Sequence, residues 1–273
     1  MTPPLRLLFD VQGDLLESAR ECEAEVFLRW YGNTREQLAQ EYGPYEDSSV
    51  FVVLADHHDE VVGAVRMLAP GGRAGLKTLA DVGREPWNVP GTDAAAAVGM
   101  DLRSTWEVAT LGVRGGRTVG RTESSLALYH GLLTVARVNR MSTFVAVLDE
   151  RVRRLLASVG LLTRALPGTT TASYLGSGAS TPVYAHVTPM VEHQRRRFPD
   201  AHRLVTLGTG LDGVAVPPAD AFRLRPRAAL LGAGSMDLTE LDLTGLELTD
   251  LELADLELAG LDRTDGLALA GDR

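Results

Sequence analysis

The 273-residue sequence predicts an α/β (α+β) body built around one mixed sheet, followed by a tail of a different kind. Three observations lead there. Apolar residues recur at 3–4 spacing in some stretches and alternate or run together in others. The two kinds interleave along the chain, as they do when helices cover a sheet. Clusters of Gly, Pro and Asp separate these stretches, where turns belong. Near the C-terminus both patterns give way to a strict period of five.

The elements follow in order. Residues 15–41 predict a helix, with Leu15, Leu16, Ala19, Cys22, Val26, Phe27 and Trp30 near 3–4 spacing. "YGPYEDSS" is a turn. "VFVVLADHHDEVVGAVRML" predicts a β-hairpin around the polar "DHHDE". Residues 69–104, rich in Gly, Pro and Ala, predict mostly loop with a short helix near Leu79. Then come the strand "TWEVATLGV", the turn "RGGRTVGR", the amphipathic helix "TESSLALYHGLLTVARVNR", the strand "STFVAVL", the short helix "DERVRRLLASVG" and the strand "TPVYAHVTP". "VEHQRRRF" reads as a helix end, and "GVAVPPADAFRLRPR" as a Pro-rich connection. The expected division is a body over 1–200, a connecting segment over 201–235 and a tail over 236–273.

In the tail Leu238, Leu243, Leu248, Leu253 and Leu258 recur every five residues, as do Leu241, Leu246, Leu251, Leu256 and Leu261. A five-residue step turns a helix by about 140°, so these leucines make no helical stripe. The spacing resembles pentapeptide-repeat proteins, which wind into a four-sided β-helix. So short a repeat predicts a coil capped by the body or by a second copy in a homo-oligomer; the alternative is a solvated acidic segment.

Charge and composition exclude several classes. Residues 237–265 carry ten acids and one base, which accounts for the whole net charge of −9; elsewhere 26 bases balance 26 acids. No basic, aromatic-studded face stands out, so nucleic acid is not an expected partner. One cysteine, Cys22, excludes an internal disulfide and a Cys-based zinc site. No His/Asp/Glu cluster has metal spacing, and no apolar run reaches the roughly 18 residues of a membrane span. The expectation is a soluble, cytoplasmic protein with no metal.

Two features point to chemistry. Glu107 sits mid-strand beside Trp106, and a carboxylate in such a segment is costly unless paired or functional. It is either a general base or the structural partner of Arg66 or Arg103. Arg66, mid-strand in "VGAVRML", is either a clamp for an acceptor's carboxylate or the partner of an acid. The second feature is "VRGGRTVGR" between a strand and a helix, where backbone N–H groups and glycines can cradle an anion. It lacks the Gly-Lys-Ser of a nucleotide P-loop, and Ser124 and Ser125 lack the context of a serine hydrolase.

Arg20, Val26-Phe27, Trp30, the acidic turn from Glu41 to Asp47, "VVGAVRML", "WEVATLGV" and "VARVNRMSTFVAVLDERVRRLLASVGL" occur in an order that resembles the GNAT superfamily of N-acyltransferases. Within it the chain looks most like acyl-homoserine-lactone synthases and long-chain N-acyl amino acid synthases, from about Arg20 to Phe198. The resemblance implies a mixed sheet with a V-shaped splay between two central strands, where a pantetheine arm inserts. It implies acyl-CoA or acyl-phosphopantetheine as co-substrate, with no tightly bound cofactor. The donor would be held by Leu111, Val113, Arg114, Gly115, Gly116, Arg117, Gly120 and Arg121. Glu107, Trp106 and Arg66 would be catalytic, and Arg20, Phe27, Trp30 and Asp47 would border the acceptor. Tyr129 or Tyr184 would serve the leaving thiolate or pack in the core. The implied partners are a small-molecule or peptide amine and an acyl carrier protein. The sequence departs from the homoserine-lactone synthases at Thr110, where they have an arginine, and at Glu46 and Asp47, where they have spaced aspartates. An acetyl-CoA-dependent acetyltransferase and a non-catalytic scaffold are the alternative readings.

Overall fold

The computed structural model describes residues 5–114 and 121–226. All of them belong to the first of two compact units, Met1–Ala233; the second, Gly234–Arg273, lies outside the described residues, and with it the expected tail.

Strands β1 (Leu5–Phe9), β2 (Ser49–Ala55), β3 (Val61–Leu68), β4 (Thr105–Val113), β5 (Thr143–Asp149), β6 (Arg164–Ala165), β7 (Ala172–Tyr174), β8 (Ser177–His186) and β9 (Val214–Ala215) form one mixed sheet. Its order is β6-β8-β5-β4-β3-β2-β1-β9, with β7 also on β8. The helices are α1 (Asp14–Tyr31), α2 (Arg35–Tyr42), α3 (Lys77–Asp81), α4 (Gly91–Ala97), α5 (Arg121–Val138), α6 (Glu150–Ser158) and α7 (Val187–Arg197). Neighbouring strands run antiparallel from β1 to β4, and β4 and β5 run parallel. A parallel pair needs a crossover, and α5 provides it.

The faces follow from the two-residue period of a strand. On β2, Val50, Val52 and Leu54 pack against Ala127, Leu128 and Val135 of α5, while Phe51, Val53 and Ala55 pack against Ala19 and Cys22 of α1. The sheet is therefore buried on both sides, which is why β2 reads as an unbroken apolar run.

Three expectations change. The helix expected over 15–41 is two helices. Gly32 closes α1 at φ 74°, a left-handed conformation that glycine adopts freely. Thr34 then opens α2 with a capping box, accepting from Gln37 N–H while the Gln37 side chain accepts from Thr34 N–H. The segment 69–104 carries α4 besides the short α3. Residues 201–226, expected as a connection, are part of the body. β9 adds a parallel edge strand to β1, and Phe222 is fully buried, its ring 6.2 Å from that of Phe9. The Asn139 side chain fixes this segment, donating to Phe222 C=O at 2.8 Å and accepting from Leu224 N–H at 2.8 Å. No helix among the described residues is long and apolar enough to cross a membrane.

Candidate active site

The site begins with an extra residue. Along the β3–β4 ladder Met67 faces Val108 and Arg66 faces Thr110, so Ala109 is a bulge. A bulge bends its strand and shifts the alternation of side chains by one. Trp106 and Val108 face α5, but past the bulge Leu111 and Val113 do so. Glu107 and Thr110, three residues apart, consequently share the face toward α1 and α3, where Thr110 bonds Glu23 and Glu107 bonds Thr78.

On its other side β4 pairs with β5 over three residues only, Thr105–Glu107 with Thr143–Val145. Both strands run on, to Val113 and Asp149, without pairing again. The cleft between them is the splay expected from the sequence. Three cavities meet there. One of about 70 Å³ lies on the α1 side, walled by the rings of Phe27, Tyr31, Tyr42 and Tyr174. One of about 50 Å³ lies on the α5 side and is almost wholly apolar, between Leu132, Met141, Phe144, Leu156 and Met190. A mouth of about 330 Å³ is bordered by Trp30, Gly112, Ser125 and Arg151. Leu111 and Val152 line all three.

Glu107 stands at the closed end of the splay, 3% exposed. Its Oε2 accepts from Thr78 N–H at 2.8 Å. Burial raises its pKa from 4.5 to about 7, against the lowering effect of the Thr78 bond and of Lys77. Neither expected ion-pair partner reaches it. Arg103 pairs with Asp101 at the surface. Arg66 is bound bidentately by Glu23, at 3.0 and 2.7 Å, and by Glu46 at 2.7 Å. Arg66 therefore takes the second of its two readings, the partner of acids, with its guanidinium over the Tyr42 and Phe51 rings.

The remaining residues divide. Phe27 lines the α1-side cavity, and Trp30 and Val113 border the mouth. Arg20 faces a polar pocket between α1 and α2, bonded to Glu17 at 2.6 Å and Glu46 at 2.8 Å. Asp47 does not face it: it accepts from Arg73 N–H at 3.0 Å, and Glu46 takes the expected place. Trp106, expected beside the chemistry, is a core residue on the α5 side, because strand alternation sends it away from Glu107. Arg114 is held by Glu25 at 2.8 Å and Glu60 at 3.2 Å. Gly115, Gly116, Arg117 and Gly120, and the side chain of Arg121, lie outside the described residues. Tyr129 borders both the apolar cavity and the mouth. Its hydroxyl has no hydrogen-bond partner among the described residues, and burial pushes it up to about 12. Tyr184 packs in an apolar cluster with Val145 and Leu166. His130 and His186 bond backbone carbonyls. Among the described residues no group of three His, Cys, Asp or Glu could hold a metal ion.

The sequence reading missed a buried polar layer beneath the aromatic cavity. Lys77 Nζ lies 2.6 Å from Asp81, 2.7 Å from Glu41 and 3.0 Å from the Tyr174 hydroxyl. Burial lowers the Lys77 pKa, but Asp81 and Glu41 outweigh it and raise it overall. Tyr42 donates to Ala109 C=O at 3.3 Å, holding the bulge. One signal was available: Glu23 falls on the apolar face of α1, with Ala19, Cys22 and Val26. Tyr174 carries no local signal, because only the pairing of β7 with β8 brings it here.

No protein-family model and no curated protein matches the sequence. Solved structures share its fold. A CoA-dependent acyl-homoserine lactone synthase, BjaI, with SAM and isopentyl-CoA, superposes with TM-score 0.53 at 18% identity, over 80% of this chain and 96% of that one. FeeM, an N-acyl amino acid synthase from uncultured soil microbes, gives TM-score 0.52 at 13% identity, over 70% and 96%.

Proposed function

We propose, from a fold shared with a CoA-dependent acyl-homoserine lactone synthase and an N-acyl amino acid synthase, that this protein is an N-acyltransferase. Its donor is a thioester, acyl-CoA or the phosphopantetheine of an acyl carrier protein, and its acceptor is an amine of a small molecule or peptide. The observation that carries this reading is the splay: two parallel strands part after three pairs and join a mouth to two unlike cavities. A pantetheine arm entering past Gly112 has its thioester near Leu111, its acyl chain in the apolar cavity and its attacker on the aromatic side.

Each residue then has a task. Glu107, poised near neutral, takes the proton that the amine loses on attack, directly or through water. The attack forms the C–N bond, and collapse of the tetrahedral adduct breaks the C–S bond. Backbone N–H groups of Leu111 or Val113, on the edge of β4 that has left β5, face the developing oxyanion. The partnerless Tyr129 hydroxyl donates to the departing sulfur. Direct attack is supported by Cys22: it is buried on α1, and burial pushes its thiol up to about 12, so it is not a thiolate nucleophile. The apolar lining of the second cavity suits a hydrocarbon acyl chain.

Thiol release from a series of acyl-CoAs and acyl carrier proteins, with a mixture of primary amines, tests this. Amine-dependent release should occur and should fall roughly 10²-fold or more in Glu107→Gln. No release with any donor, or an undiminished rate in the variant, would refute it.

A further inference from the structure

The aromatic cavity limits what its acceptor can be. Among the described residues no Lys, Arg or His lines it; the one charged residue of that lining is Asp149, already bonded by Arg151 at 3.0 Å and by the Ser177 hydroxyl at 2.7 Å. The cations around it are committed. Arg66 contacts five residues: Glu23 bidentately, Glu46, Ser49, and the Tyr42 and Phe51 faces. Lys77 is closed by Glu41 and Asp81, its ammonium 5.6 and 5.5 Å from the Tyr42 and Tyr174 rings that wall the cavity. Glu107, by contrast, has no cation within ion-pair distance among the described residues. Among the described residues an acceptor carboxylate entering here would find Asp149 and aromatic faces and no uncommitted cation. An ammonium or an aryl group would find four rings, and ring faces attract cations.

Resting on the acyl-transfer reading, we infer that the acceptor is a primary amine that carries no carboxylate, with a cationic or aromatic body, rather than an amino acid. Phe27, Tyr31, Tyr42 and Tyr174 wall that body, and its amine points down β4 toward Glu107, one residue beyond the lining residue Val108. An α-amino acid differs from its decarboxylated amine by the one group this cavity cannot pair.

Calorimetry on the full chain with matched pairs tests the inference: tyramine against tyrosine, phenethylamine against phenylalanine, agmatine against arginine. Each titration is made with and without a non-hydrolysable acyl-CoA analogue, whose own binding is measured separately. At least one amine should bind at least ~10-fold more tightly than its amino acid, and the same amine should be preferred by at least ~10-fold in kcat/KM of thiol release. Equal or tighter binding of the amino acids overturns the inference, as does no binding by any of the six. The two readings fail separately. If the analogue binds and amino acids are acylated in preference, the acyltransferase stands and the amine falls. If amines bind but no donor does, the amine pocket stands and acyl transfer falls.

Discussion

At the scale of single residues, Glu107 and Arg66 answer the same difficulty, a charge inside the sheet layer, in opposite ways. Glu107 has one backbone donor and no cation, so burial acts on its protonation: the pKa moves from 4.5 to about 7. Over that window the folded protein keeps the proton that the unfolded chain has lost. Stability therefore falls as pH rises from about 4.5 to about 7, by about 3 kcal/mol, and levels off above. Glu107→Gln still accepts from Thr78 N–H but cannot ionise. Its melting temperature relative to the parent should be higher at pH 8 than at pH 5, by ~2–4 °C per kcal/mol of relief. The rate of acyl transfer should rise through pH 7 in the parent and lose that limb in the variant; thermal melts and a pH–rate profile read the two effects independently. Arg66 instead satisfies its charge with Glu23, the two side chains being 3% and 2% exposed. Arg66→Ala would strand Glu23 and should cost about 3–5 kcal/mol in denaturant unfolding, whereas Arg66→Met with Glu23→Leu should recover most of it.

Among the elements, β4 is the one on which the site depends, and its irregularity is specific. The Ala109 bulge sets Glu107 and Thr110 on one face and brings Gly112 against α1. A Cβ at Gly112 would stand 2.5 Å from Val26 Cγ1 and 3.0 Å from its Cβ, too near for a rotamer change to relieve. Gly112→Ala should push α1 off β4, costing about 1–3 kcal/mol and disturbing the mouth; Val26→Ala in the same chain should restore stability and donor binding. Urea unfolding and calorimetry with an acyl-CoA would register both. A double variant as weak as the single one would show that the contact with α1 is not what makes glycine necessary.

For the whole molecule, the late segment closes the edge of the sheet far along the chain from the elements it covers. Phe222, fully buried against Phe9 and locked through Asn139, ties residues 214–224 to β1 and α5. Phe222→Ala should lose about 3–5 kcal/mol, since a large ring leaves a cavity the backbone cannot collapse into. The splay lies mid-sheet, between β4 and β5, with β2 and β3 separating it from β1. Donor affinity measured well below the melting temperature should therefore stay within about twofold of the parent, distant sites being energetically separable.

The sequence by itself determined a helical stretch over 15–41, the hairpin β2–β3, the succession β4, α5, β5, α6 and β8, and the special standing of Glu107 and Arg66. Those signals are local: a 3.6-residue or two-residue period, a turn between apolar runs, a charge where apolar residues surround it. It also pointed to the splay, through motifs taken together. Tertiary structure alone decided the rest. Which side Trp106 faces depends on strand alternation around a bulge that only the β3 register reveals. Whether Arg66 is free depends on Glu23, forty-three residues earlier on another element. Lys77, Asp81 and Tyr174 meet because α3 and β7 are folded over the same end of the sheet, and Phe222 enters the core because β9 pairs with β1. Periodicity reports which face of an element is apolar; it carries no information on what another element, distant in the chain, brings to that face.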